Sequence, residues 1–248
     1  LSINSLENDI SGKIAQNVSL LNETVVLKLN GGLGTSMGLD KAKSLLNVKG
    51  SNSFLDLTAK QILSMRKDLQ SPIKFMLMNS FNTSQDTLNF LTKYPSISED
   101  SSLELMQNKV PKIDKADNSP ATWSANPHLE WCPPGHGDLY TALYGSGKLD
   151  ELLASGSKYL FVSNSDNLGA TLDIDLLSYF AQSDSPFMME CCQRTEADKK
   201  GGHLAFMMGD SIIKGQYIEL MKKTLDQAKI KKTQIKTIAL RVPKFTEA

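Results

Sequence analysis

A chain of 248 residues with 40% apolar content has material for one large α/β domain or two small ones. Its 27 basic residues balance 27 acidic ones, which argues against a nucleic-acid partner, since that role needs a basic face. The three cysteines show neither a disulfide framework nor a zinc spacing, and no run approaches the ~18 apolar residues of a membrane span, so a cytoplasmic location without membrane contact is expected.

Taken in chain order, residues 1–22 are polar and read as a short helix or arm. Val25–Leu29 is an apolar, β-branched run that predicts a buried strand. It breaks into Gly31, Gly32, Gly34 and Gly38, with Lys41 and Lys43 following. Bare backbone N–H groups in such a loop form a concave anion site, and the two lysines point to a phosphate chain. The spacing fits neither a P-loop nor a dinucleotide fingerprint, because Met37 stands where the third glycine of the latter belongs. A plain structural turn remains the competing reading of the glycines.

Phe54–Leu69 has the apolar spacing of an amphipathic helix with Asp56 near its start, and Phe75–Met78 reads as a short buried strand. Asn82 or Ser84 is placed to cap a helix running to about Leu91, and Leu103–Met106 is a further strand. Residues 108–135 hold five of the nine prolines and read as a long constrained loop. Asp138–Leu153 reads as one helix, strained by Gly145 and Gly147. Tyr159–Val162 is a strand, Asp173 caps a helix to about Phe180, and Phe187–Cys192 is strand-like. A helix over Tyr217–Ile230 and a strand over Ile235–Val242 complete the pattern. Alternating strands and helices imply an α/β fold: a mostly parallel sheet with helices on both faces.

Three polar constellations fall around these elements. Ser163–Asn167 lies just past a strand, where a carboxylate such as Asp166 can hold Mg²⁺ beside phosphates; turn formation is its competing reading. Trp131–Asp138 places His136 between two glycines after two prolines, either to donate to phosphate or sugar, or as a rigid turn with Asp138 capping a helix. Gln107-Asn108 offers amides able to read a base edge or to satisfy loop backbone. Cys191 and Cys192 read as inert core thiols.

Leu29–Gly38 with Lys43, Gln107-Asn108, Pro133–Asp138 and Asn164–Asn167 together resemble the UTP–glucose-1-phosphate uridylyltransferase family. Phe75–Ser84 and Arg194–Leu204 bring the resemblance nearest its kinetoplastid-like branch, and it runs from about Glu23 to Phe206. It implies a GT-A-like, Rossmann-like nucleotidyltransferase core that interconverts UTP and glucose 1-phosphate with UDP-glucose and pyrophosphate. By motif position, Leu29, Asn30, Gly31 and Gly32 would line the nucleotide site, and Lys43 would contact the UTP phosphates. Gln107 and Gly135 would face the uracil, while His136 and Asn164 would lie near the sugar nucleotide. Asp166 would hold Mg²⁺, and Gly202 would border the sugar pocket. Lys43 and Asp166 would be the catalytic pair, and Lys41 would face solvent.

The resemblance also sets the expected organisation: an arm over 1–22, an incomplete core over 23–206 and a distinct tail over 207–248. That tail carries a net charge of +5 against −5 for the rest and lacks the family's later sugar-contacting segments, further lysine and C-terminal β-helix. The chain is therefore expected to be truncated or to join stretches of a longer protein, to leave a sheet edge exposed after Phe206, and to turn over negligibly by itself. A broader UDP-sugar pyrophosphorylase and a non-catalytic nucleotide-binding module are the alternatives, and a homo-oligomer stays open. UTP binding without turnover would single out the module.

Overall fold

The structure is a computed structural model that describes residues 16–34, 38, 40–183, 185–193 and 233–241. Among the described residues six strands form the central sheet: β1 (Thr24–Asn30), β4 (Lys74–Asn79), β5 (Glu104–Met106), β8 (Tyr159–Asn164), β9 (Phe187–Gln193) and β10 (Thr233–Arg241). Their spatial order is β5-β4-β1-β8-β10-β9. The pairs β5/β4, β4/β1 and β1/β8 are parallel, and β10 runs antiparallel to both its neighbours. Two small hairpins lie outside it, β2 (Asn47–Lys49) with β3 (Asn52–Ser53), and β6 (Val110–Pro111) with β7 (Trp131–Cys132).

The central strands are buried on both faces because their side chains alternate between two apolar layers. On the first face Val26, Phe75, Leu77, Tyr159 and Phe161 pack with helices α1 (Phe54–Asp68), α2 (Ser84–Leu91), α3 (Pro95–Ser98) and α6 (Ile174–Gln182). On the second face Val25, Leu27, Leu29, Met76, Met78, Leu160 and Val162 pack with α4 (Asp138–Gly145) and α5 (Lys148–Ala154). The α/β reading with helices on both faces therefore stands, as a Rossmann-like core. Among the described residues no helix is long and apolar enough to cross a membrane.

Local chemistry sets the element ends. Helix α1 starts with a capping box: the Asp56 N–H donates to Ser53 Oγ at 3.1 Å, and the Ser53 N–H donates to Asp56 Oδ2 at 2.8 Å. Burial pushes the Asp56 carboxyl up, but hydrogen bonds from Lys93, Ser53 and Tyr94 outweigh it and hold the carboxyl well below the usual range. Burial and the bond to Asp56 push the Tyr94 phenol up to about 12.

Four sequence expectations need correction. The helix expected over Asp138–Leu153 is two helices, parted at Ser146 and Gly147, where φ is +74°. Thr83, and not Asn82 or Ser84, holds the N-cap of α2, and its hydroxyl accepts from the Ser80 N–H at 3.0 Å instead of capping the helix. The long loop over 108–135 contains the β6/β7 pair and a 3-10 turn, Pro127–Glu130. The strands expected to be missing after Phe206 are not all missing, because β10 enters between β8 and β9 and leaves β9 at the edge of the sheet. The helix expected over Tyr217–Ile230 and the loop Arg194–His203 lie outside the described residues.

Candidate active site

Strands β1, β4, β5 and β8 all point the same way and deliver their following loops to one edge of the sheet. The chain passes from β1 to β4 and β5 on one side, while β8 lies on the other side of β1. The β1/β8 boundary is thus a topological switch point, where the diverging loops leave a crevice for a ligand. Gly31–Gly34 leaves β1 at that crevice, and Asn164–Asn167 leaves β8.

The glycine loop folds back on itself. The Gly34 N–H donates to the Lys41 carbonyl at 3.0 Å, the Lys43 N–H donates to the Gly32 carbonyl at 3.0 Å, and Leu33 bridges Ala42. This return brings Lys43 to the start of the loop while Lys41 stays exposed, as expected. The Lys43 ammonium then reaches Asp166 Oδ2 at 2.6 Å, across 123 positions of sequence. Their side chains are 35% and 29% exposed, so both charges remain within reach of a ligand. The Ser165 N–H donates to the Leu29 carbonyl at 3.0 Å and fixes the second loop beside the first.

A second junction joins three more residues. Gln107 Nε2 donates to the Gly135 carbonyl at 2.5 Å, and its Oε1 lies where a Cβ on residue 31 would stand 2.5 Å away. Only glycine fits at 31 with the Gln107 carboxamide in that place. Gly135 has φ of +109°, a conformation that side-chain-bearing residues rarely adopt. The Ser80 hydroxyl donates to the Gly31 carbonyl at 2.8 Å and braces the loop from β4.

The remaining sequence candidates are placed as follows. Leu29 faces the apolar layer beneath α4 and α5. Asn30 is 2% exposed, and its amide nitrogen donates to Asn79 Oδ1 at 2.7 Å and to Thr87 Oγ1 at 2.9 Å, both inside the protein. His136 is exposed on the loop before α4, and Asn164 is exposed at the end of β8. Gly202 lies outside the described residues. Asp138 does not cap its helix. It accepts from the Asn108 N–H at 2.7 Å and from Asn108 Nδ2 at 2.9 Å. Burial pushes its carboxyl up, but the bonds from Asn108 and Thr141 hold it below the usual range.

Sequence reasoning overlooked Asn79, Ser80 and Lys28. A strand that ends in Asn79-Ser80 after an apolar run carried the signal for the first two. A lysine in the middle of Val25–Leu29 carried it for the third. Lys28 is 3% exposed, donates to the Ala170 carbonyl at 2.7 Å, and is pushed down to about 8 by burial.

Among the described residues no group of three or more His, Cys, Asp or Glu gathers to hold a metal ion. A lone carboxylate does suit Mg²⁺, which commonly takes one or two carboxylates together with substrate phosphates. Asp166, beside the glycine loop, has that character. A separate apolar gap, lined by Tyr159, Leu172, Leu177, Phe180 and Met188, contains none of these residues. Its charged lining groups are Asp173 and Glu190, which would repel a polyanion.

The model of a family described as UTP–glucose-1-phosphate uridylyltransferase matches residues 3–237. The uridylyltransferase of that description from Saccharomyces cerevisiae is 43% identical over 197 residues, 79% of this chain and 39% of the relative. That from Solanum tuberosum is 43% identical over 191 residues, covering 77% and 40%. A UDP-glucose pyrophosphorylase from Leishmania major, solved in complex with UDP-glucose, aligns with a TM-score of 0.80 at 44% identity, over 98% of this chain and 54% of that one. A Trypanosoma brucei protein described as UDP-glucose phosphorylase gives a TM-score of 0.81 at 48% identity, over 94% and 51%. The chain thus spans about two fifths of the length of the curated relatives and about half that of the solved ones.

Proposed function

From the premise that the chain belongs to the UTP–glucose-1-phosphate uridylyltransferase family, we propose that this protein makes UDP-glucose and pyrophosphate from UTP and glucose 1-phosphate. The observation that carries the proposal is the Lys43–Asp166 pair at 2.6 Å, set between the glycine loop and the β8 loop at the switch point. A cation donor, an anion-binding backbone and a hard carboxylate there match a nucleotide triphosphate.

In the reaction an oxygen of the sugar phosphate attacks the α-phosphorus of UTP, a new P–O bond forms, and the bond to the bridging oxygen breaks to release pyrophosphate. The attacking oxygen is already anionic, so no protein nucleophile or base is needed. Alignment of two polyanions and relief of their mutual repulsion supply the acceleration. Lys43 donates to the phosphates, and the Gly31–Gly34 backbone cradles them. Asp166 would hold Mg²⁺, which when bound offsets phosphate charge. Gln107 and Gly135, already joined, form the wall for the uracil, while His136, Asn164 and Gly202 serve the sugar side. Cysteines without a pairing pattern favour a reducing, cytoplasmic setting.

The test is pyrophosphate release from UTP and glucose 1-phosphate with Mg²⁺ present, assayed with the natural full-length protein. Release that depends on both substrates and falls steeply in Asp166→Asn supports the reading. UTP binding with no release would replace it with a nucleotide-binding module, and equal use of several sugar phosphates would widen the substrate range.

A further inference from the structure

Lys28 stands in the middle of a strand whose every residue is buried, and among the described residues no carboxylate pairs with it. Burying an ammonium is costly, and a buried charge is normally paired or neutralised. The polar atom it touches is the Ala170 carbonyl, at 2.7 Å, and the Phe161 ring centre lies 6.0 Å away. Ala170 belongs to the segment 165–173 that follows β8 and carries Asp166.

That segment has little regular structure, and beside the Lys43–Asp166 pair three backbone anchors among the described residues tie it to β1 and α1. At its start the Ser165 N–H donates to the Leu29 carbonyl at 3.0 Å. Further on, Gln61 Nε2 of α1 donates to the Leu168 carbonyl at 3.0 Å. Lys28 holds the third anchor, and the charge on its donor makes that bond the stronger kind. Asp166 lies between the first anchor and the other two. Ser163, the sheet partner of Lys28 on β8, has a buried hydroxyl without a hydrogen-bond partner among the described residues.

We propose that Lys28 is a positioning residue for the nucleotide site: by gripping the Ala170 carbonyl it fixes the loop that presents Asp166. The proposal rests on the reading of Asp166 as the Mg²⁺ ligand given above. It explains why a lysine stands between Leu27 and Leu29 in a fully buried strand. Burial pushes Lys28 down to about 8, so it remains mostly charged at neutral pH, as the grip requires.

The test is calorimetric titration of the protein with UTP, once with Mg²⁺ and once with EDTA, which gives the Mg²⁺-dependent gain in affinity. Lys28→Met keeps the length of the stem and removes the donor. It is expected to cut that gain about tenfold, the scale of one hydrogen bond from a charged group, while affinity in EDTA stays within about twofold. Gln61→Leu loosens the same loop through a neutral donor and is expected to cut the gain by less. An equal loss with and without Mg²⁺, or an unchanged gain, would overturn the proposal, because a merely structural lysine would not single out the metal. If Lys28→Met does not fold, Gln61→Leu decides the matter: an unchanged gain overturns the idea. Asp166→Asn separates the two levels. If it abolishes the gain and Lys28→Met does not reduce it, the positioning role fails alone; if it leaves the gain intact, both readings fail.

Discussion

The two faces of the central sheet are built from the same strands and differ at one end. The face beneath α4 and α5 is apolar along its length, from Val25 and Leu160 to Leu29, Met78, Leu105 and Val162. The face beneath α1, α2 and α6 begins as apolar, with Val26, Phe75, Tyr159 and Phe161. It then turns polar at the carboxyl ends of the strands, with Lys28, Asn30, Asn79, Ser163 and Ser165, all buried. Stability alone would favour apolar residues on both faces, since each buried polar group must find a partner to avoid a penalty. The polar end coincides with the edge that carries the glycine loop and Asp166. The difference teaches that one face is built for cohesion and the other for support of a charged site.

The comparison is broken most severely from the apolar side. Leu27→Ala is expected to cost about 2–5 kcal/mol in denaturant unfolding, the range for a truncated core leucine, and to leave UTP affinity of the folded protein unchanged. Lys43→Ala does the reverse. It should lower kcat/KM by about 10²–10³ with little change in Tm, whereas the exposed Lys41 should tolerate alanine in a steady-state assay.

Within the polar end, Asn79→Leu removes the acceptor of Asn30 and the donor to Glu104 Oε1. It is expected to cost about 1–3 kcal/mol by chemical denaturation, because a partner is left buried without its bond. The smallest effect sharpens the contrast through pH. The unfolded Lys28 keeps its proton to the model-peptide value of 10.5, while the folded one releases it from about 8. Between those values the unfolded state binds more protons, so stability rises with pH. Over the first pH unit above that release, wild type should gain about 1 kcal/mol relative to Lys28→Met, measured by unfolding at each pH.

Much of the fold could be read from residue order because the signals are local. Val25–Leu29 marked β1 within one residue at each end, and the apolar spacing of Phe54–Leu69 with Asp56 near its start marked α1. The break in 138–153 was harder, since Gly145 and Gly147 weaken a helix without saying which of them ends it. The site was legible as separate motifs on separate loops. Its geometry was not: the return that carries Lys43 to Gly32, and then to Asp166, depends on contacts between distant segments. The polarity of one face was hidden for a related reason. A fully buried strand reads as apolar on both sides, and the groups that meet Lys28 and Asn30, which are Ala170, Asn79 and Thr87, lie far away in sequence.

The most direct test of the central claim, that the polar end supports the nucleotide site, is amide hydrogen exchange with and without Mg²⁺–UTP. Protection is predicted to concentrate at Gly31–Gly34, around Gln107 and across Asn164–Asn167, with α4 and α5 unaffected beyond their first turn. Protection concentrated instead at the apolar gap lined by Leu172, Leu177, Phe180 and Met188, with the glycine loop unchanged, would contradict the account.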